Sequence, residues 1–143
     1  MKKWVIFCFG LWSLFLFSAS ALAAPAQRVV SFQSYVVEEE GQTFLRCEIG
    51  LSQLPAEYSV KGGGLLRPKR LLLDFSDTSL GDFPREYALD GLYGRRAVFS
   101  EVGGHVRVEL SVVALADEGN YRIDTLPPDK QNKLPWRLVV DLY

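Results

Sequence analysis

Arginine and aspartate recur four positions apart in two near-copies of one short pattern. Pro68-Lys69-Arg70-Leu71-Leu72-Leu73-Asp74-Phe75 and Pro135-Trp136-Arg137-Leu138-Val139-Val140-Asp141-Leu142-Tyr143 both read as Pro-x-Arg, three aliphatic residues, Asp and an apolar tail, 67 positions apart. An alternating Arg-x-Glu step comes before each copy, at Arg46-Cys47-Glu48 and at Arg107-Val108-Glu109. A guanidinium presents its donors in a fork that fits a carboxylate, and Asp and Glu accept hydrogen bonds from hydroxyls and amides. On an extended strand Arg70 and Asp74 project to the same side about 13 Å apart, so they cannot pair with each other. Each must face a neighbouring strand or a ligand. One expectation is a cross-strand charge ladder, with Arg46 and Glu48 beside Arg70 and Asp74 in one sheet, and Arg107 and Glu109 beside Arg137 and Asp141 in the other. Such pairs contribute only about 0.2–1 kcal/mol each. The other expectation is ligand contact, and the two are compatible.

The remaining reactive residues argue for binding rather than catalysis. The chain has one histidine, His105, which follows Gly103-Gly104 at the expected start of a strand and reads as an exposed turn residue. A catalytic zinc needs several His and carboxylate ligands around an open position, and no metal site is expected. No cofactor is expected either. Gly62-Gly63-Gly64 lacks the following Gly-Lys-Ser/Thr of a phosphate loop and reads as a turn. No nucleophile motif accompanies the serines. Cys47 alternates with Leu45, Ile49 and Leu51, which marks it as a buried small hydrophobe.

These side chains need strands to position them, and period-two alternation dominates. Leu45, Cys47, Ile49 and Leu51 share a face opposite Arg46 and Glu48. Val106, Val108, Leu110 and Val112 share one opposite Arg107 and Glu109. Leu71, Leu73 and Phe75 oppose Arg70, Leu72 and Asp74, while Arg137, Val139 and Asp141 oppose Leu138, Val140 and Leu142. Both faces are apolar in Val29 to Val37, so its phase stays open. Further matches suggest duplication: Arg28-Val29-Val30 with Arg96-Ala97-Val98, and Tyr58-Ser59-Val60 with Tyr121-Arg122-Ile123. Turns are expected at Glu38 to Gln42, Lys61 to Gly64, Gly103-Gly104 and Asp129 to Lys133, with Gly103-Gly104 suited to a tight primed hairpin. Leu80 to Gly94 reads as the connection between halves, with room for one helical turn. The half-repeats run over about 28–75 and 96–143. A four-stranded sheet with one apolar face must cover that face. The expectation is an all-β sandwich of two similar four-stranded sheets with approximate two-fold internal symmetry.

Residues 1–23 read as a cleavable signal peptide. Lys2 and Lys3 precede an apolar run from Trp4 to Phe17, and Ala21-Leu22-Ala23 fits a cleavage site. The run has 14 residues, fewer than the ~20 of a spanning helix, and Cys8 within it reads as filler. The expectation is secretion to the periplasm without a stable membrane anchor. Residues 24–143 would then form a single domain of 120 residues. Without Lys2 and Lys3, 14 basic residues face 17 acidic ones, a net charge near −3. That balance argues against a nucleic-acid partner, which would need a clustered basic surface.

The paired Pro-x-Arg-aliphatic-Asp segments, the Arg-x-Glu strands before them and the terminal Arg-Leu-Val-Val-Asp-Leu-Tyr resemble an AMIN domain, over about 28–143. AMIN domains are non-catalytic; they precede the catalytic part of some periplasmic N-acetylmuramoyl-L-alanine amidases and occur in pilus secretins. The resemblance implies two symmetric four-stranded sheets with outward motifs, a place in the cell envelope, and peptidoglycan as ligand. It carries over to Arg70, Asp74, Arg137 and Asp141. The chain differs from the amidases in ending where their linker and catalytic domain would begin, so no enzyme activity is expected. In this setting the arginines would hold carboxylates of stem peptides or of the muramic lactyl group, and Arg46, Glu48, Arg107 and Glu109 would line the same faces. Trp136 would stack on a sugar if open beside Arg137, or sit at the core edge if turned inward. Two other functions stay open: a protein-interaction module for assembly of an envelope complex, and a truncated amidase.

Overall fold

The computed structural model describes residues 26–55, 57–62, 70–113 and 120–143. The signal peptide expected over 1–23, Gly63 and Gly64 of the expected turn, and Pro68 and Lys69 of the first motif lie outside the described residues. Within them the chain forms strands and no helix. In order they are β1 (Gln27–Glu39), β2 (Gln42–Leu51), β3 (Tyr58–Gly62), β4 (Arg70–Phe75), β5 (Thr78–Leu80), β6 (Glu86–Ala88), β7 (Gly94–Val102), β8 (His105–Val112), β9 (Tyr121–Leu126) and β10 (Trp136–Leu142).

The strands form where apolar residues alternate, because one pleated face can then be removed from water. In β4, Leu71, Leu73 and Phe75 are fully buried while Arg70, Leu72 and Asp74 are half-buried. Cys47, Ile49, Val108, Leu110, Leu138, Val140 and Leu142 join them in one core. Two five-stranded sheets enclose that core in a sandwich-like arrangement. The first has the order β5-β1-β2-β10-β9 and the second β3-β4-β8-β7-β6. Phe32 of the first sheet packs against Tyr87 and Phe99 of the second, with ring centroids 4.8 and 5.2 Å apart.

Three expectations are corrected. The sheets have five strands rather than four, because β5 pairs parallel to β1 and β6 pairs antiparallel to β7. Both come from or border the stretch expected to be a plain connection with a helical turn, and no helix forms there. Phe83, Tyr87, Leu89 and Tyr93 in that stretch pack on the core instead. The third correction concerns neighbours. β2 pairs with β10, and β4 pairs with β8, so each sheet joins strands from both halves of the chain. The hairpin β1–β2 must cover its apolar face, and the strands that follow it cross into the opposite layer to do so. The ladder charges did not reveal this, since Arg46 and Glu48 complement the Arg/Asp spacing of either motif.

The hairpin turns follow the expected chemistry. Gly103 and Gly104 have φ of 57° and 79°, the left-handed values a primed turn needs. The β1–β2 turn narrows to Glu40 and Gly41, with φ of 51° and 77°. The ambiguous phase of β1 has a cause: Val29 faces Leu51 and Ser31 faces Gly50, leaving Val30 as an extra residue. The bulge moves the inward set from Gln27 and Val29 to Phe32.

Candidate binding face

The outer face of the first sheet is built in rungs. Tyr35, Arg46, Asp141 and Arg122 lie side by side across β1, β2, β10 and β9; Gln33, Glu48, Val139 and Asp124 form the next rung, and Ser31, Gly50, Arg137 and Leu126 the third. Arg46 donates through Nε and Nη2 to both Asp141 oxygens at 2.8 and 2.9 Å, and Arg122 Nη2 reaches Oδ2 at 3.3 Å. The Arg46 guanidinium also lies 5.4 Å from the Phe44 ring centre. The hydrogen bonds to Asp141 raise the Arg46 pKa against the opposing effect of burial. Glu48 accepts from the Tyr35 hydroxyl at 2.8 Å and from Gln33 Nε2, and Arg137 Nη1 stands 3.6 Å from it. Burial, followed by the Glu48 carboxylate, pushes the Tyr35 phenol up. Asp141 is 1% exposed and Glu48 3%, so these are interior charges held by full sets of donors.

The second sheet carries a looser version. Arg107 donates to both Asp74 oxygens at 2.6 and 3.0 Å. Arg70 Nη1 lies 3.4 Å from Glu109, and Arg96 pairs with Glu86 at 3.2 Å. Here Asp74 is 30% exposed and Arg107 51%. The Arg107 fork holds the Asp74 carboxyl below the usual carboxylate range. A shallow cleft of about 270 Å³ beside them is lined by Asp74, Ser100, His105 and Arg107, among others. His105 is exposed just after the turn.

The expected ladders therefore exist with exchanged partners: Arg46 with Asp141 instead of Asp74's strand, and Arg107 with Asp74 instead of Asp141's strand. Eight of the nine candidate residues sit on the outer faces. Trp136 does not; it takes the inward alternative, packed against the core on the face opposite Arg137. Cys47 is fully buried, and desolvation pushes its thiol up to about 12.

One part of the first face is concave. A cleft of about 570 Å³ opens between β1 at Val30–Gln33, β2 at Glu48 and Gly50, and the Lys133–Pro135 approach to Arg137. Gly50 is needed there: a Cβ on it would lie 2.0 Å from Ser31 Oγ and 3.2 Å from Pro135 Cγ. The motif proline thus closes over a glycine of β2. The loop before it is self-supporting. Asp129 and Leu134 exchange backbone hydrogen bonds at 3.0 and 2.8 Å, and the Asp129 carboxylate accepts from Asn132 Nδ2 and from the amides of Gln131 and Asn132. The Asn132 side chain leads in holding the Asp129 carboxyl below its ordinary range. Lys133 adopts φ of 56° at the rim.

Arg137 is the under-used group of the cleft. It is 13% exposed, and among the described residues it donates one hydrogen bond, from Nη2 to Pro127 O at 3.3 Å, while its buried Nε makes none. No protein-family model matches the chain, and no curated protein matches it. Among the described residues no group of three or more His, Cys, Asp or Glu is placed to hold a metal. The sequence singled out Arg137 and Glu48 but missed Gly50, Ser31, Gln33, Tyr35 and Lys133. Gly50 was the available signal, since a glycine inside an alternating strand marks a close approach.

Proposed function

We propose that this chain is an AMIN-type, non-catalytic module that binds peptidoglycan in the periplasm and so targets the cell envelope, exported by the signal peptide at 1–23. The doubled Arg/Asp motif supports the AMIN resemblance. So does strand order: β1-β2-β10-β9 in one sheet becomes β7-β8-β4-β3 in the other when the halves are exchanged. In this view the domain is a duplicated four-strand unit with approximate two-fold symmetry, to which β5 and β6 add one edge strand each.

The observation that carries the function is the cleft at Arg137. A concave site on a sheet, with a cation that the ladder engages only through a 3.6 Å ion pair to Glu48, is what a binding module needs. Arg46 and Arg107 support the face rather than the ligand, because each already holds a carboxylate with two donors. Sedimentation with purified insoluble sacculi tests the proposal. The protein should pellet at low salt, pellet less as salt rises, and pellet less again as Arg137→Gln. A protein that stays in the supernatant at low salt would sink it.

A further inference from the structure

The walls of the Arg137 cleft say which part of a polymer it fits. Two cations line it, Lys133 and Arg137, against one carboxylate, Glu48. Glu48 accepts from Tyr35 and Gln33 and stands 3.6 Å from Arg137 Nη1, so it offsets one of the two positive charges. A guanidinium has five N–H donors, and Arg137 uses one in a hydrogen bond. The surplus in the cleft is of donors and positive charge, which calls for an oxyanion.

Its other walls are the small or aliphatic Val30, Gly50, Leu134 and Pro135, with Ser31, Gln33 and the buried Phe32. Among the described residues no open ring face lines it. Trp136 is turned to the core, and the Phe32 ring is engaged with Tyr87 and Phe99. A sugar ring has nothing to stack on there, whereas a short aliphatic peptide has apolar walls to meet. The volume of about 570 Å³ lies in the range of small-ligand sites. Beside Gly50 the cleft is narrow. Pro135 Cγ comes within 3.2 Å of the position a Gly50 Cβ would take, so only a residue with a small side chain fits over that glycine.

We infer that the cleft docks the free C-terminal carboxylate of a short peptide with small side chains, its oxygens on Arg137 and Lys133 and its last residues over Gly50. This rests on the peptidoglycan proposal and assigns the peptide stem, not the glycan strand, as the part held. Capture of a terminal carboxylate is an established mode of peptide recognition.

Isotope-labelled protein titrated with three probes, followed by its amide resonances, tests it: acetyl-Ala-Ala with a free carboxylate, the same dipeptide as an amide, and acetyl-Glu-Ala amide, whose only carboxylate is a side chain. The free acid should shift Ser31 and Gly50 saturably, and the dipeptide amide should bind at least about tenfold more weakly. Arg137→Gln should weaken the acid about tenfold. Lys133→Gln, on an exposed loop clear of the ladder, should weaken it severalfold even if the Arg137 variant fails to fold. Arg96→Gln, on the other sheet, should change nothing. Equal binding of acid and amide, tighter binding of the glutamyl probe, or no saturable shift with any of them overturns the inference. If sacculi are retained while no peptide acid moves the cleft resonances, the inference fails alone. If the acid binds but sacculi do not, the peptidoglycan proposal fails and the carboxylate site stands.

Discussion

Arg46 and Asp141, 95 positions apart, form a two-pronged ion pair whose carboxylate is 1% exposed. Arg107 and Asp74 make the same fork on the other sheet with a carboxylate 30% exposed. Chemistry and geometry match, and burial differs. An interior charge stripped of its partner costs about 3–5 kcal/mol, whereas a solvated pair is worth about 0–1 kcal/mol. Arg46→Ala leaves Asp141 only the 3.3 Å contact from Arg122, so it should destabilise the fold by up to several kcal/mol, and Arg107→Ala by less than about 1 kcal/mol. Urea unfolding of both variants measures the contrast. Equal losses would mean that burial does not separate the two pairs.

The exposed fork should also leave a mark in acid. The Arg107 hydrogen bonds lower the Asp74 pKa in the folded protein. A lowered folded value means that the unfolded chain takes up the proton first. The pair's stabilisation is thus present above the unfolded value near 3.9 and disappears as pH falls through the lower folded value. The stability difference between the parent protein and Asp74→Asn should be constant near neutrality and shrink below about pH 4. A difference that stays level down to about pH 2 would contradict this origin.

Gly50 should resist substitution for a local reason that can be partly relieved. Gly50→Ala drives a methyl to 2.0 Å from Ser31 Oγ and 3.2 Å from Pro135 Cγ. Overpacking of this kind costs about 1–3 kcal/mol. Ser31→Ala removes the closer contact, so the double variant should recover part of the loss while the Pro135 contact retains the rest. Thermal melts of the two single variants and the double variant decide it; strictly additive effects would mean that the two residues do not meet.

Glu40 offers the opposite case. It holds φ of 51° beside Gly41 in the β1–β2 turn, a conformation that most L-residues adopt only at a cost. Asn-Gly is a preferred pair for this turn. Glu40→Asn should stabilise by about 0.5–1 kcal/mol, a rise in Tm of roughly 2–6 °C. No rise would indicate that the turn relaxes at no cost.

The inner faces were legible because an apolar residue stands at every second position of β2, β4, β8 and β10, although in β2 and β10 the opposite face is largely buried too. The choice of neighbours was not. Arg46 and Glu48 can satisfy the charges of either motif strand, and only packing between layers selects β10. Strands β5 and β6 span three residues each, too few for a period to show. In β1 the bulge at Val30 splits one pattern into two that are out of step. The site was legible as types of side chain, Arg137 and Glu48 among them. Its hollow was not, because it arises where a loop some 80 positions downstream of Gly50 folds back over that glycine.

The exchange of strands between halves also sets the order of folding. β2 finds its second neighbour only when a strand more than 80 residues later is available, and β4 must wait for β8. Neither half can close a sheet alone, however stable its hairpins. Such non-local contacts raise contact order and slow folding, because long loops must close before any contact rewards them. A cut between β5 and β6 should leave two pieces that are each unfolded in isolation and regain structure when mixed.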